Sequence, residues 1–202
     1  MGRPRDQSRR RHELLTAATD VVARKGIGST RLGDVAEAAG ITPGAVLYYY
    51  ESLDDLFFAA YERGVDRFCR EREEAIAALD DPVAQLRTAA HLGIPRGPQD
   101  TDIRLLYEFE SVAFRSRPCA ALMHGYVERQ VAMYAALLEH GARAGAFRLT
   151  SSARVIARNL VALEDGLGVY VLTGHRSPAE VEQLVLDYAQ TSTGAALGAD
   201  RL

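Results

Sequence analysis

The 202-residue sequence predicts an all-α fold of about nine helices, on three observations. Apolar residues recur three and four positions apart through almost the whole chain. The breaks between these runs carry Pro, Gly, Ser, Thr or Asp where helices start and stop, and no stretch alternates apolar and polar residues as a half-buried strand does.

The elements follow in order. After a basic arm, a first helix from about Arg11 to Lys25 sets Leu14, Leu15, Ala18, Val21 and Val22 on one face and is ended by Gly26 and Gly28. A second, short helix follows Thr30, whose hydroxyl can cap it, turns Leu32, Val35, Ala36 and Ala39 inward, and stops at Gly40. A third starts at Thr42, with Pro43 in the first helical position where its missing N–H costs nothing, and runs to about Tyr49. Ser52 and Asp55 form a capping box for a fourth helix that carries Leu56, Phe57, Ala60, Val65 and Phe68 toward Leu79. Asp80-Asp81-Pro82 opens a fifth, to about Leu92, and the stretch 93–99 is a Pro- and Gly-rich loop. A sixth covers about Asp102 to Arg115, and Pro118 opens a seventh that ends in the turn from Gly141 to Phe147. Ser151 or Ser152 caps an eighth ending near Gly174, and Ser177-Pro178 begins a ninth that fades by Gly194.

Composition narrows the function classes. With 48% hydrophobic and 25% charged residues the chain is globular, its longest apolar runs are too short to span a bilayer, and no secretory leader is legible, so a cytoplasmic protein without a membrane partner is expected. Cys69 and Cys119 have neither disulfide nor metal-ligand spacing and read as structural thiols. His12, His91, His124, His140 and His175 are scattered, and the adjacent acids Glu73 and Glu74 read as solvated, so no catalytic residue, metal or cofactor is expected. An enzyme acting on a small amine and a purely helical scaffold remain the competing classes. The net charge of -3 is unevenly spread: residues 1–50 hold eight basic against five acidic residues, leaving the remainder at -6. One end is suited to a polyanion and the other would repel it.

The very short Gly40-Ile41-Thr42 connection between helices 2 and 3 is that of a helix-turn-helix, which leaves its second helix free to enter a major groove about 12 Å wide. Thr42, Pro43, Gly44 and Ala45 form the leading end of that helix, where small side chains permit close approach. Tyr48 and Tyr49 offer hydroxyls to phosphate or ring faces to thymine methyls, whereas Tyr50 reads as packing. Residues 42–49 include no Arg, Lys, Asn or Gln, so base readout falls to Arg31, Thr42, methyl contacts and DNA shape. Arg3 and Arg5 either track a minor groove or form a solvated tail, and Arg9 to Arg11 are expected at the DNA backbone. One such helix contacts too little DNA for a specific site, so a homodimer on an inverted-repeat duplex is expected.

The run Thr30-x-x-x-Asp34-Val35-Ala36-x-x-Ala39-Gly40-Ile41-Thr42-x-Gly44, followed by aromatics and Ser52-x-Asp54-Asp55-Leu56, resembles the DNA-binding domain of TetR-family transcriptional regulators. Gly141-x-x-x-Gly145-x-Phe147 and Leu163-x-Asp165-Gly166-Leu167 are similar to the second half of such regulators, those of the choline-responsive BetI group above all. The resemblance implies a DNA-binding domain over residues 1–52, a ligand-binding and dimerisation domain over 53–202, and a repressor released by a small-molecule effector. It sets Thr30, Arg31, Thr42, Pro43 and Ala45 at or near DNA with Tyr48 beside a phosphate. Two positions depart from the family pattern: Leu47 stands where a phosphate-binding tyrosine is usual, and Leu53 where a lysine usually meets the backbone.

In the second half, Ile103, Leu106, Tyr107, Glu110, Ala113 and Phe114 fall on one helical face, placing a carboxylate inside an apolar and aromatic stripe. Two readings stand for Glu110: contact with a cationic or hydrogen-bonding ligand, or an internal pair with Arg154, Arg158 or His124. Phe68, Leu105, Tyr126, Met133 and Tyr134 are further candidates for an aromatic cavity suited to an amine, with Glu164 as a second acidic wall residue. Leu160, Leu163, Leu167 and Tyr170 on the eighth helix, with Val181, Leu184, Val185 and Tyr188 on the ninth, are expected at a dimer interface.

Overall fold

The computed structural model describes residues 4–197. Among the described residues the chain is all-α, with nine α-helices and one 3-10 turn: α1 (Pro4–Lys25), the turn Ile27–Ser29, α2 (Leu32–Ala38), α3 (Pro43–Tyr49), α4 (Leu53–Ala77), α5 (Pro82–Gly93), α6 (Thr101–Ala113), α7 (Arg117–Arg143), α8 (Ala153–Leu172) and α9 (Pro178–Thr193). Local chemistry sets most of the ends. Thr42, Asp81, Ser152 and Ser177 each accept a hydrogen bond from the backbone N–H three residues on, and Gly194 closes α9 in the left-handed conformation at φ 68°.

Two starts differ from expectation. The helix predicted from Arg11 begins at Pro4, because Arg9 and Arg10 both bind Glu13 at i+4 and i+3 spacing and hold the arm helical. Thr30 does not cap α2. Its hydroxyl donates to the Gly26 carbonyl at 2.9 Å, and the Asp34 carboxylate instead accepts from the Arg31 N–H at 2.8 Å.

The helices form two compact units that do not follow a single cut in the sequence. One holds the residues up to Asp66 together with Thr101–Met123, and the other holds Arg67–Asp100 and the residues from His124 onward. α4 and α7 contribute residues to both. The first unit packs α1 against α2 and α6, and its core includes Leu14, Ala18, Val22, Val35, Val46, Leu56 and the stacked rings of Tyr61 and Phe109 at 4.5 Å. The second is a helical bundle in which Leu86, Val131, Leu138, Ile156, Leu160, Val181 and Val185 are buried, joined by Leu197 from beyond the end of α9. The Gly141 motif has a packing reason: Phe147 folds back so tightly on α7 that any side chain at 141 would overlap its ring. No helix among the described residues is long and apolar enough to cross a membrane.

Candidate functional site

The exposed surface of α3 is the first candidate. Gly40, at φ 65°, turns the chain after α2, and Ile41 N donates to the Ala36 carbonyl at 2.9 Å, closing the connection. Val46 and Tyr50 are buried, which sets the opposite side of α3 toward solvent. On that side Thr42, Pro43, Gly44, Leu47 and Tyr48 are exposed, with Ala45 and Tyr49 half-buried. Tyr48 is 71% exposed, meets Tyr49 edge to face at 5.1 Å, and accepts a hydrogen bond from Gln7 Nε2 at 3.5 Å. Arg31 is exposed beside this face, with its guanidinium on the Gly28 carbonyl at 3.2 Å.

Two expectations for this face change, and a third lies outside the described residues. Thr30 is 1% exposed with its hydroxyl occupied, so its side chain is not presented to a partner. Arg11 is not free for a DNA backbone: Arg11 Nη2 donates to the Tyr49 carbonyl at 2.9 Å and the guanidinium lies over the Tyr50 ring, capping the C-terminal end of α3. Arg3 lies outside the described residues, and Arg5 falls within α1 but its side chain is likewise outside the description.

Within the first unit a recess of about 800 Å³ opens between the start of α4 and the end of α6. Phe57, Phe58 and Phe109 line it together with the carboxylates of Asp54, Asp55 and Glu108, with Arg115 as the one cation among its walls. Ile27 and Gly28, in the turn that leads into α2, are also part of its wall. Glu108 Oε2 accepts from the Ile27 N–H at 3.0 Å, a tie between α6 and that turn that sequence reasoning missed.

The face of α6 that turns inward is Leu105, Leu106 and Phe109, which shares only Leu106 with the expected stripe. Leu105 is part of the first unit's core, Tyr107 is half-buried, and Phe114 lies beyond the helix end and is 88% exposed, so it walls no enclosed space. Glu110 stands at the helix surface, where loss of part of its hydration raises its carboxyl above the ordinary value. Arg154 and Arg158 do not pair with it; both bind Glu128.

A carboxylate inside an aromatic cluster is found in the second unit instead, at Glu164. Arg72, itself 1% exposed, donates to Glu164 Oε1 at 2.6 Å, to the Tyr134 hydroxyl at 2.8 Å, to Gln130 Oε1 and, twice, to the Ala89 carbonyl. Tyr134 donates its hydroxyl to Glu164. The guanidinium carbon also lies 5.0 Å from the centre of the Tyr134 ring and 5.6 Å from that of Phe68, and Phe68 meets Tyr126 edge to face at 5.9 Å. An aromatic and acidic cage for a cation is therefore present, but its guest is the protein's own Arg72. Desolvation opposes the Arg72 charge, and the Glu164 carboxylate and Tyr134 outweigh it, so the guanidinium stays ionised; burial raises Glu164, which Arg72 and the Tyr134 hydrogen bond pull back. Burial also pushes the Tyr126 and Tyr134 phenols well up. Met133 stands apart from the cage on an open groove of about 560 Å³ shared with Ile76, Leu137 and Arg129, and Arg129 forms a two-point ion pair with Glu73 at 2.7 Å. The missed signal was position: Arg72 lies four residues after Phe68 and four before Ile76, on the buried stripe of α4.

The expected dimer residues divide in the same way. Leu160, Val181 and Val185 are fully buried within their own subunit because α8 and α9 pack on each other there. Leu163, Leu167 and Tyr188 are half-buried, Tyr170 and Leu184 are more than 40% exposed, and the Tyr188 hydroxyl accepts from Asn159 at 2.7 Å. Gly166 lies among them with open space where a side chain would stand. Cys69 and Cys119 are free and buried.

Known proteins match both halves of this arrangement. Residues 14–60 match the family model for bacterial regulatory proteins of the tetR family, and residues 82–193 match that for the C-terminal region of BetI-type transcriptional repressors. The HTH-type transcriptional regulator YfiR of Bacillus subtilis (strain 168) is 25% identical over 188 residues, spanning 88% of this chain and 87% of its own. AcrR of Shigella flexneri is 38% identical over 78 residues, 38% of this chain and 36% of that one. Among solved structures, a transcriptional regulator from Saccharomonospora viridis in complex with choline superposes with a TM-score of 0.85 at 24% identity, covering 92% of this chain and 98% of that one.

Proposed function

Since the chain belongs to the TetR family of bacterial regulatory proteins, we propose that it is a transcriptional repressor that binds an inverted-repeat DNA site as a homodimer and is released by a small organic cation. The observation that carries this reading is α3 itself. Its inner side is anchored by Val46 and Tyr50 while Thr42, Pro43, Gly44, Leu47 and Tyr48 are exposed. Thr42, Pro43, Gly44, Ala45, Tyr48 and Tyr49, with Arg31 beside them, are the DNA-facing set, and Arg3 and Arg5 are the arm that accompanies them.

A helix of seven residues spans only a few base pairs, so specificity requires a second copy. Leu163, Leu167, Tyr170, Leu184 and Tyr188, with the open surface at Gly166, are the patch proposed to meet its two-fold equivalent. Occupying a promoter demands no contact with polymerase, which favours repression over activation.

The cationic effector is supported by chemistry: the recess sets the rings of Phe57, Phe58 and Phe109 beside three carboxylates, Asp54, Asp55 and Glu108, against the single cation Arg115, a lining that suits an amine or quaternary ammonium. The choline in the S. viridis regulator points to the same ligand class. Ile27 and Gly28 form part of that recess, so a guest there acts on the turn leading into α2 and α3. Effector and DNA would then oppose each other by one coupling free energy of roughly 1–3 kcal/mol, equal in both directions.

Selection of genomic fragments by the purified protein at fixed salt, followed by sequencing, tests the reading. An enriched inverted repeat, bound by a dimer and weakened by choline or benzyltrimethylammonium, is the expected result. Binding without sequence enrichment would replace it with an accessory, non-specific DNA-binding role.

A further inference from the structure

We propose that Leu47 reads the DNA sequence by packing on the 5-methyl group of a thymine in each half-site. The inference rests on α3 being the helix that enters the major groove. Helical spacing divides α3 cleanly: Val46 and Tyr50 are buried, whereas Pro43, Gly44, Leu47 and Tyr48, at i, i+1, i+4 and i+5, share the exposed side. Leu47 is 48% exposed, one of few large apolar side chains left that open among the described residues.

The chemistry of that side leaves an apolar partner as the fitting one. It carries no Arg, Lys, Asn or Gln and so makes no bidentate contact to a base. The Thr42 hydroxyl oxygen accepts from the Ala45 N–H, and the Tyr48 hydroxyl accepts from Gln7. Where the family pattern has a tyrosine suited to phosphate, leucine can neither donate nor accept a hydrogen bond. In the major groove the thymine methyl is the one apolar group on a base-pair edge, so a leucine there separates A·T from G·C by packing alone. Gly44 adds the room: one turn before Leu47, it carries no side chain, and nothing from elsewhere in the described residues stands within 4 Å of where a Cβ would be.

The test uses the full-length protein and a site obtained by selection. Each thymine of the half-site is replaced singly by deoxyuridine, which removes the methyl and leaves base pairing and O4 unchanged, and affinity is read by fluorescence anisotropy for the wild type and Leu47→Ala. At one thymine per half-site the wild type should lose about fourfold, the worth of one buried methyl-sized group, while Leu47→Ala, already weakened, should not respond to the same replacement. Circular dichroism of Leu47→Ala should match the wild type because the side chain contributes little to the core. Equal deoxyuridine penalties in the two proteins, or no penalty at any thymine, would overturn the assignment while leaving the groove reading intact. Failure of the wild type to select any sequence would overturn the groove reading itself and Leu47's role with it.

Discussion

Arg72 Nη2 lies 2.6 Å from Glu164 Oε1, and both side chains are almost wholly withdrawn from water. A pair of this kind adds little net stability relative to apolar residues, yet breaking it from one side strands a buried charge. Arg72→Met should therefore cost about 3–5 kcal/mol, read as a fall in thermal midpoint and denaturant midpoint. Arg72→Met combined with Glu164→Gln should recover a substantial part of it, because the stranded charge is gone.

The same pair gives a pH signature. Burial raises Glu164 above its ordinary value of 4.5, and without Arg72 nothing of comparable strength opposes that rise. A carboxyl raised in the folded chain binds more protons folded than unfolded between the two pKa values, so stability falls as pH rises through that window. The deficit of Arg72→Met should thus be largest near neutrality and narrow as pH falls toward about 5, whereas the double variant, which lacks this carboxyl, should lose that part of the pH dependence altogether. Parallel melting curves for wild type and Arg72→Met across that range would refute the burial of this charge.

Gly93, the last residue of α5, explains why the pair can sit where it does. A Cβ there would overlap Glu164 Oε1 and stand 2.5 Å from Arg72 Nη2, closer than real side chains come. Gly93→Ala should destabilise the protein by roughly 1–3 kcal/mol through overpacking, despite alanine's better helix propensity. Adding Arg72→Met should cost less in the Gly93→Ala background than alone, since the two act on one cluster. Full additivity in denaturant titrations would separate them.

Tyr170 and Leu184 are exposed apolar residues on α8 and α9, the patch assigned to self-association. Two-fold symmetry duplicates any change made there, so Leu184→Glu should set like charges against each other across the axis and weaken the dimer by roughly 2 kcal/mol or more. Sedimentation velocity should show monomers at concentrations where the wild type is dimeric, with helical content unchanged. An unaltered dimer would move the interface elsewhere.

Helix ends were legible because their causes are local. Thr42, Ser152 and Ser177 act on amides three residues away, and the left-handed turn at Gly194 is a property of one residue. The site was legible only where one helix carries it, as on α3. Periodicity says which face of a helix is apolar but not what meets it, so Arg72 and Glu164, 92 positions apart, could not be matched in advance. The same ambiguity misassigned Leu160, Val181 and Val185: α8 and α9 are apolar over much of their circumference, and spacing cannot divide such residues between a subunit's own core and its surface. The stripe around Glu110 was drawn too long for a different reason: it ran to Phe114, past the point where α6 ends at Ala113.

Arg11 distinguishes a structural from an electrostatic role in DNA binding. Its position in a basic run suggests a phosphate contact, but its guanidinium caps the Tyr49 carbonyl at the end of α3 and covers the Tyr50 ring. A phosphate contact removed by Arg11→Ala would lower the slope of log affinity against log salt by roughly 1 for each arginine lost. A cap removed by the same substitution would loosen α3, weakening affinity while leaving the slope unchanged and lowering stability by about 0.5–2 kcal/mol. The second pattern is expected. Tyr48→Phe, which deletes an exposed hydroxyl and no packing, should weaken DNA binding without lowering stability or dimer mass, so the pair of variants separates a residue that holds the reading helix from one that touches what it reads.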